Sequence, residues 1–227
     1  MKETDAMLGR LRLLQLTSPN LPIGGFTYSQ GLEFAVETGW VSDVPTLCDW
    51  LQGLLEDAVT YLEVPSFARL YDACERSDKS ALEYWGLHSL AGRESNELRM
   101  EEQQRARAFT RLIIDLEVAD AAEWEQELRL CQAAPFALAT CRWDIALEDA
   151  ALGYVWSWLE NSIAAAIKLI PLGQTDGQRA QLAMAKLVPN VVSKGLSIPD
   201  DAMGTSAPAM ALASTLHETQ YTRLFRS

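Results

Sequence analysis

Apolar residues return at helical spacing along most of the chain. Leu47, Trp50, Leu51, Leu54, Leu55, Ala58 and Leu62 keep one face of a 3.6-residue period apolar, with Asp43 and Pro45 as start signals in front of them. The pattern predicts one amphipathic helix. Phe67, Leu70, Tyr71 and Cys74 repeat it after Pro65, and Phe109, Leu112, Ile113 and Leu116 repeat it at the end of a long polar stretch. No sustained alternation of β-branched residues between tight hairpin turns interrupts the trend, so the expected fold class is all-α. Breaks fall at Leu21 to Gly25, at Pro135, around Pro171 to Gly177 and across Pro189 to Pro208, which gives roughly nine helical segments.

Ala150 to Ile170 is almost entirely apolar and about long enough to cross a bilayer. Glu160, Asn161 and Ser162 sit at its middle, where one ionised carboxylate costs about 3 kcal/mol on the insertion scale. A central helix buried in a bundle fits better. The expectation is a single compact multi-helix bundle over residues 1–227 around that helix.

A formal charge of −12 and a pI near 4.6 argue against nucleic acid and anionic membranes, both of which are bound largely through Lys and Arg. Met1 to Leu8 lacks an apolar run after a basic start, and Cys48, Cys74, Cys131 and Cys141 are too widely spaced for a metal knuckle. Reduced core thiols in a cytoplasmic protein are expected.

Catalytic templates fail on named residues. His217 and Glu218 begin an H-E-x-x-H pattern, but Tyr221 stands where the second His is needed. Ser29 and Gly31 lack the preceding glycine of a nucleophile elbow, since Thr27 occupies that place, and helix-start chemistry explains the serine. Gly24 and Gly25 are not followed by the Lys-Ser or Lys-Thr of a phosphate loop. Adjacent acids such as Glu101 with Glu102, and the pair Glu101 and Arg105 at i, i+4, read as a solvated helix face. No catalytic residue, cofactor or metal ligand is expected.

Three stretches are less easily explained by packing. Ser18 to Glu33, SPNLPIGGFTYSQGLE, shapes a turn before a helix starting near Tyr28. KLIPLGQ places Lys168 near the end of the apolar helix, where it can cap the dipole, snorkel or meet a partner. The tail His217 to Ser227, HETQYTRLFRS, puts Tyr221, Leu224 and Phe225 on one helical face with Arg223 and Arg226 nearby, a composition suited to partner docking.

PIGGFTYSQGLE, RESNELR from Arg93 to Arg99, KLIPLGQ and HETQYTRLFRS, in that order, resemble the urease accessory protein F family over nearly the whole chain. The resemblance implies an all-α protein that forms a homodimer, binds the accessory protein called D or H, and with it recruits the GTPase accessory protein G to apo-urease for GTP-dependent nickel insertion. It implies a regulator and scaffold rather than an enzyme. By motif, Glu33 and Lys168 would contact or regulate the GTPase, and Gly24, Gly25 and Ser29 would shape the signature loop. Tyr221, Arg223, Leu224, Phe225 and Arg226 would form a tail that orders against D or H, near Tyr28. Residues 117–142 match no motif. The alternatives are a nickel-carrying metallochaperone and a helical enzyme of unrecognised chemistry.

Overall fold

The computed structural model describes residues 2–204 and 207–227, and among them there is no β-strand. The helices are α1 (Lys2–Thr17), α2 (Leu32–Glu37), α3 (Val44–Leu54), a π-helical stretch (Leu55–Glu63), α4 (Val64–Glu75), α5 (Lys79–Ala91), α6 (Asn96–Asp115), α7 (Glu125–Leu128), α8 (Ala133–Arg142), α9 (Leu147–Leu169), α10 (Gln174–Ala185), α11 (Val188–Leu196) and α12 (Pro208–His217). The all-α expectation holds. α9 is the apolar helix read from the sequence, and α1, α2, α4, α8, α10 and α11 pack around it. Among the described residues no helix is long and apolar enough to cross a membrane.

The amphipathic run from Leu47 to Leu62 is buried as its pattern requires, but it does not form one regular α-helix. After α3 the hydrogen bonding widens to π spacing and then passes straight into α4. Pro65 supplies a local reason. It has no N–H to offer the carbonyl of Tyr61 four residues back, so that carbonyl accepts instead from the Gly204 N–H at 2.9 Å. Thr60 Oγ1 donates to the Leu55 carbonyl at 2.7 Å within the widened turn. At the front, Asp43 accepts from the Thr46 N–H at 2.9 Å and completes a capping box.

Two expected breaks are narrower than the sequence suggested. Pro135 lies in the first turn of α8, where a missing N–H costs little, and Pro189 opens α11 inside the stretch read as irregular. Residues 117–142, silent in motif terms, contribute α8, whose face from Ala133 to Thr140 is buried against α4, α6 and α9. Phe67, Phe136, Tyr154 and Phe109 form an aromatic centre there, with Phe67 and Tyr154 stacked at 5.2 Å. Cys74 and Cys131 are buried free thiols, and burial pushes Cys131 up to about 12.

Candidate functional site

The loop, the lysine and the tail meet at one place. Gly24 turns the chain with φ 75°, a left-handed conformation that glycine adopts without Cβ strain, and the following 3-10 turn Gly25–Thr27 presents Phe26 to solvent. Gly25 lies against Asn161 and Arg105, and Gly31, at φ 80°, packs onto α12 beside the Ser214 N–H. Tyr28 is buried, and its hydroxyl donates to Gln104 Oε1 at 2.6 Å. The expected helix near Tyr28 starts only at Leu32, after this turn. Lys168 leaves the exposed end of α9 with its Nζ 5.9 Å from the Phe26 ring centroid, 5.5 Å from that of Phe225 and 3.5 Å from the Phe26 carbonyl.

The tail is not a helix. α12 ends at His217, and residues 218–227 run in turns, bends and irregular backbone across α2 and α6. Tyr221, Leu224 and Phe225 therefore do not share a face as the sequence suggested. Phe225 is buried while Tyr221, Arg223, Leu224 and Arg226 are exposed.

Backbone groups of the tail, left without helical partners, are satisfied by the body of the protein. Glu33 is 7% exposed, and its carboxylate accepts from the Leu224 N–H at 2.6 Å and the Phe225 N–H at 2.9 Å. The Arg226 N–H donates to the Thr27 carbonyl at 2.9 Å. The Ser227 carbonyl accepts from the Ser29 N–H at 2.8 Å and the Ser29 hydroxyl at 2.5 Å, while the Ser227 hydroxyl donates to Glu101 Oε2 at 2.8 Å. Ser29 Oγ also accepts from the Glu33 N–H at 3.3 Å, the helix-start role read for it.

His217 anchors the start of the tail. It is fully buried with Nδ1 2.6 Å from Glu97 Oε2 and Nε2 3.1 Å from Glu33 Oε2. A ring nitrogen donates only when it carries a proton, so both contacts are hydrogen bonds only in the doubly protonated ring. Arg223 donates to the other Glu97 oxygen at 2.6 Å. Glu218 turns back to accept from the Asn96 and Glu97 N–H groups at 2.8 and 3.2 Å, and Ser95 Oγ accepts from Leu98, so the start of α6 is capped from two directions.

The run from Arg93 to Arg105 is the largest departure from the sequence reading. The pair expected on a solvated face is buried, with Glu101 2% and Arg105 7% exposed and 2.9 Å apart. Glu101 also accepts from Gln30, which in turn accepts from the Trp158 indole at 2.9 Å. Glu102 faces the other way. It meets Arg93 at 2.8 Å and accepts from the Gln132 N–H at 2.7 Å, while Arg93 also pairs with Glu63, to which the Tyr154 hydroxyl donates at 3.0 Å. Two carboxylates thus share one buried guanidinium. Burial raises the Glu102 carboxyl, against the pull of Arg93, and the nearby Glu63 charge adds to the rise. Burial also pushes Glu63 upward, but Arg93 together with the Tyr154 hydroxyl brings it below its ordinary range. The sequence offered only a positional clue to these residues, because Arg93 to Arg99 was part of the family-like pattern. Their acidic and basic letters alone pointed to solvent.

Along the tail runs an open groove of about 700 Å³, bounded by Tyr28, Met100 and Gln104 on one side and by Arg223, Leu224 and Arg226 on the other. A smaller cavity of about 90 Å³ lies beneath the signature loop, lined by Phe26, Arg105, Tyr154, Trp158, Glu160 and Asn161. Burial raises the Glu160 carboxyl. Among the described residues no group of three or more His, Cys, Asp or Glu side chains is placed to hold a metal ion. The chemistry available here is that of recognition, with aromatic, aliphatic and arginine side chains displayed on a hydrogen-bonded base.

A sequence model of the UreF family matches residues 41–185. The chain is 48% identical to the urease accessory protein UreF of Alkalilimnicola ehrlichii over 99% of both chains. It is 50% identical to that of Alcanivorax borkumensis, over 95% of this chain and 97% of the relative, and 44% identical to that of Citrobacter koseri, over 99% and 100%. With the all-helical bundle and near full-length identity at this level, the chain belongs to the UreF family of urease accessory proteins.

Proposed function

We propose that the signature loop, Lys168 and the tail form a single docking surface by which this protein binds accessory protein D or H and, with it, recruits the GTPase accessory protein G to apo-urease for GTP-dependent nickel insertion. The observation carrying this reading is the convergence of three stretches remote in sequence: the Lys168 Nζ lies within cation–π distance of both the Phe26 and the Phe225 ring. In the same tail Tyr221 and Arg226 are exposed, an aromatic and an arginine of the kind that dominates interface energetics, and Leu224 is exposed beside Phe225. The protein acts by binding rather than catalysis, and it does so as a homodimer.

Glu33 and Lys168 serve the GTPase by different routes. Lys168 is exposed and can touch a partner, whereas buried Glu33 supports the surface from below. Gly24, Gly25, Tyr28 and Ser29 give the loop its shape, and Arg223 ties the tail to Glu97.

Co-purification with proteins D or H and G tests the proposal. A chain ending at Leu216 is expected to lose the complex, but it also removes core contacts of Phe225. The Tyr221→Ala/Leu224→Ala variant therefore accompanies it, because both side chains are exposed and their loss leaves the fold intact. Full-strength assembly by both variants refutes the assignment of the tail.

A further inference from the structure

Of the ten residues after α12, only Phe225 buries a large apolar side chain, so little hydrophobic energy holds this segment down. Its position is set by carboxylates instead. Glu33 from α2 and Glu97 and Glu101 from α6 receive the Leu224 and Phe225 N–H groups, the Arg223 guanidinium, the Ser227 hydroxyl and the His217 ring. We infer that Glu33, Glu97 and His217 form a clasp that fixes the tail, and that these three residues govern partner binding by positioning the tail rather than by touching the partner. The inference rests on the docking surface proposed above.

Glu33 has no edge left for a partner. One oxygen accepts from Leu224, the other accepts from Phe225 and faces His217 Nε2, and the side chain is nearly enclosed. Glu97 divides its oxygens the same way, one to His217 and one to Arg223. The clasp spans the last residue of α12, so it fixes both where the tail leaves the helix and where it crosses α2. With the backbone held at Leu224 and Phe225, consecutive side chains point apart, Phe225 into the core and Leu224 out to solvent. A released tail shows the same side chains as an ensemble, and apparent affinity falls by the fraction of molecules in the docked arrangement.

The experiment compares Glu33→Gln, Glu97→Gln and Leu224→Ala in the full chain, reading amide hydrogen exchange in the tail together with affinity for purified accessory protein D. Glutamine keeps the shape but offers one acceptor and one donor where two acceptors are needed, so Glu33→Gln sets its amide against a backbone N–H. Loss of a charge-assisted hydrogen bond predicts a fall in protection of the Leu224 and Phe225 amides of about tenfold to a hundredfold. Affinity is expected to fall in parallel once most molecules are undocked, with exchange in α8 unchanged. Leu224→Ala is expected to weaken binding while leaving tail exchange as it was. The clasp is overturned if Glu33→Gln weakens binding with tail exchange unaltered, which marks a direct contact, or if α8 loses protection to the same degree, which marks general destabilisation. If tail exchange rises in both glutamine variants while binding is untouched by any of the three, the clasp stands and the tail's part in docking falls.

Discussion

Replacing Arg93 by Met removes the one guanidinium that two buried carboxylates share. Arg93 is itself enclosed, pairs with Glu63 and Glu102, and sits beside the aromatic centre through the Tyr154 hydroxyl on Glu63. Breaking a buried ion pair from one side costs about 3–5 kcal/mol, because the remaining charge is left without a partner or solvent. For a chain of this size each kcal/mol lowers the melting temperature by about 2–4 °C, so a drop of about 6–20 °C is expected.

The variant also has a characteristic pH dependence. Without Arg93 the largest pull against burial is gone, so both carboxyls rise, opposed only by the Tyr154 hydroxyl at Glu63, the Gln132 N–H at Glu102 and the Arg105 charge. A raised folded value means protons are taken up on folding. The stability is then present below the ordinary glutamate range and lost as pH rises through the raised values. Arg93→Met should therefore fall furthest behind the unmodified protein near neutrality and recover part of the gap on mild acidification. Urea denaturation followed by far-ultraviolet circular dichroism at several pH values measures both effects. Replacing Glu63, Arg93 and Glu102 together by apolar residues should recover most of the loss, since no unpaired charge is left behind. A loss near or below about 1 kcal/mol, the size of an exposed pair, or a deficit independent of pH would refute the reasoning.

Two further outcomes are expected. In Glu102→Gln the fall in stability as pH climbs from the ordinary glutamate range through the raised Glu102 value should disappear, because the titrating carboxyl is gone; an unchanged pH–stability profile contradicts the assigned direction. Gly31→Ala combines a left-handed backbone with a Cβ 2.8 Å from the Ser214 N–H, so it should destabilise the α2–α12 contact by about 1–3 kcal/mol and loosen tail amides in hydrogen exchange.

The sequence revealed the helices because their apolar faces repeat over many residues, and in the series Leu47 to Leu62 every position but half-buried Trp50 is buried. It singled out the region proposed here for docking because the loop, Lys168 and the tail had features that packing did not require. It hid what lies beneath them. Glu101, Glu102 and Arg105 carry letters that favour solvent, and only tertiary placement shows that each has a partner inside. The tail's apparent helical face was misread for a related reason. Helical spacing in a short terminal segment cannot compete with acceptors on α2 and in the signature loop that capture its backbone N–H groups. The π-helical stretch was equally hidden, since the apolar face of α3 continues through it.

Glu101 and Glu102 are neighbours in sequence, yet one serves the tail through Ser227 and the other serves the core through Arg93 and Gln132. α6 is thus a partition with different tenants on its two sides. A single inserted or deleted residue near the middle of this helix would turn everything beyond it by about 100° and present each set of side chains to the wrong neighbours. Change by substitution can be absorbed here one side at a time, whereas a change in helix length cannot, and the spacing of this segment is under tighter constraint than its individual letters.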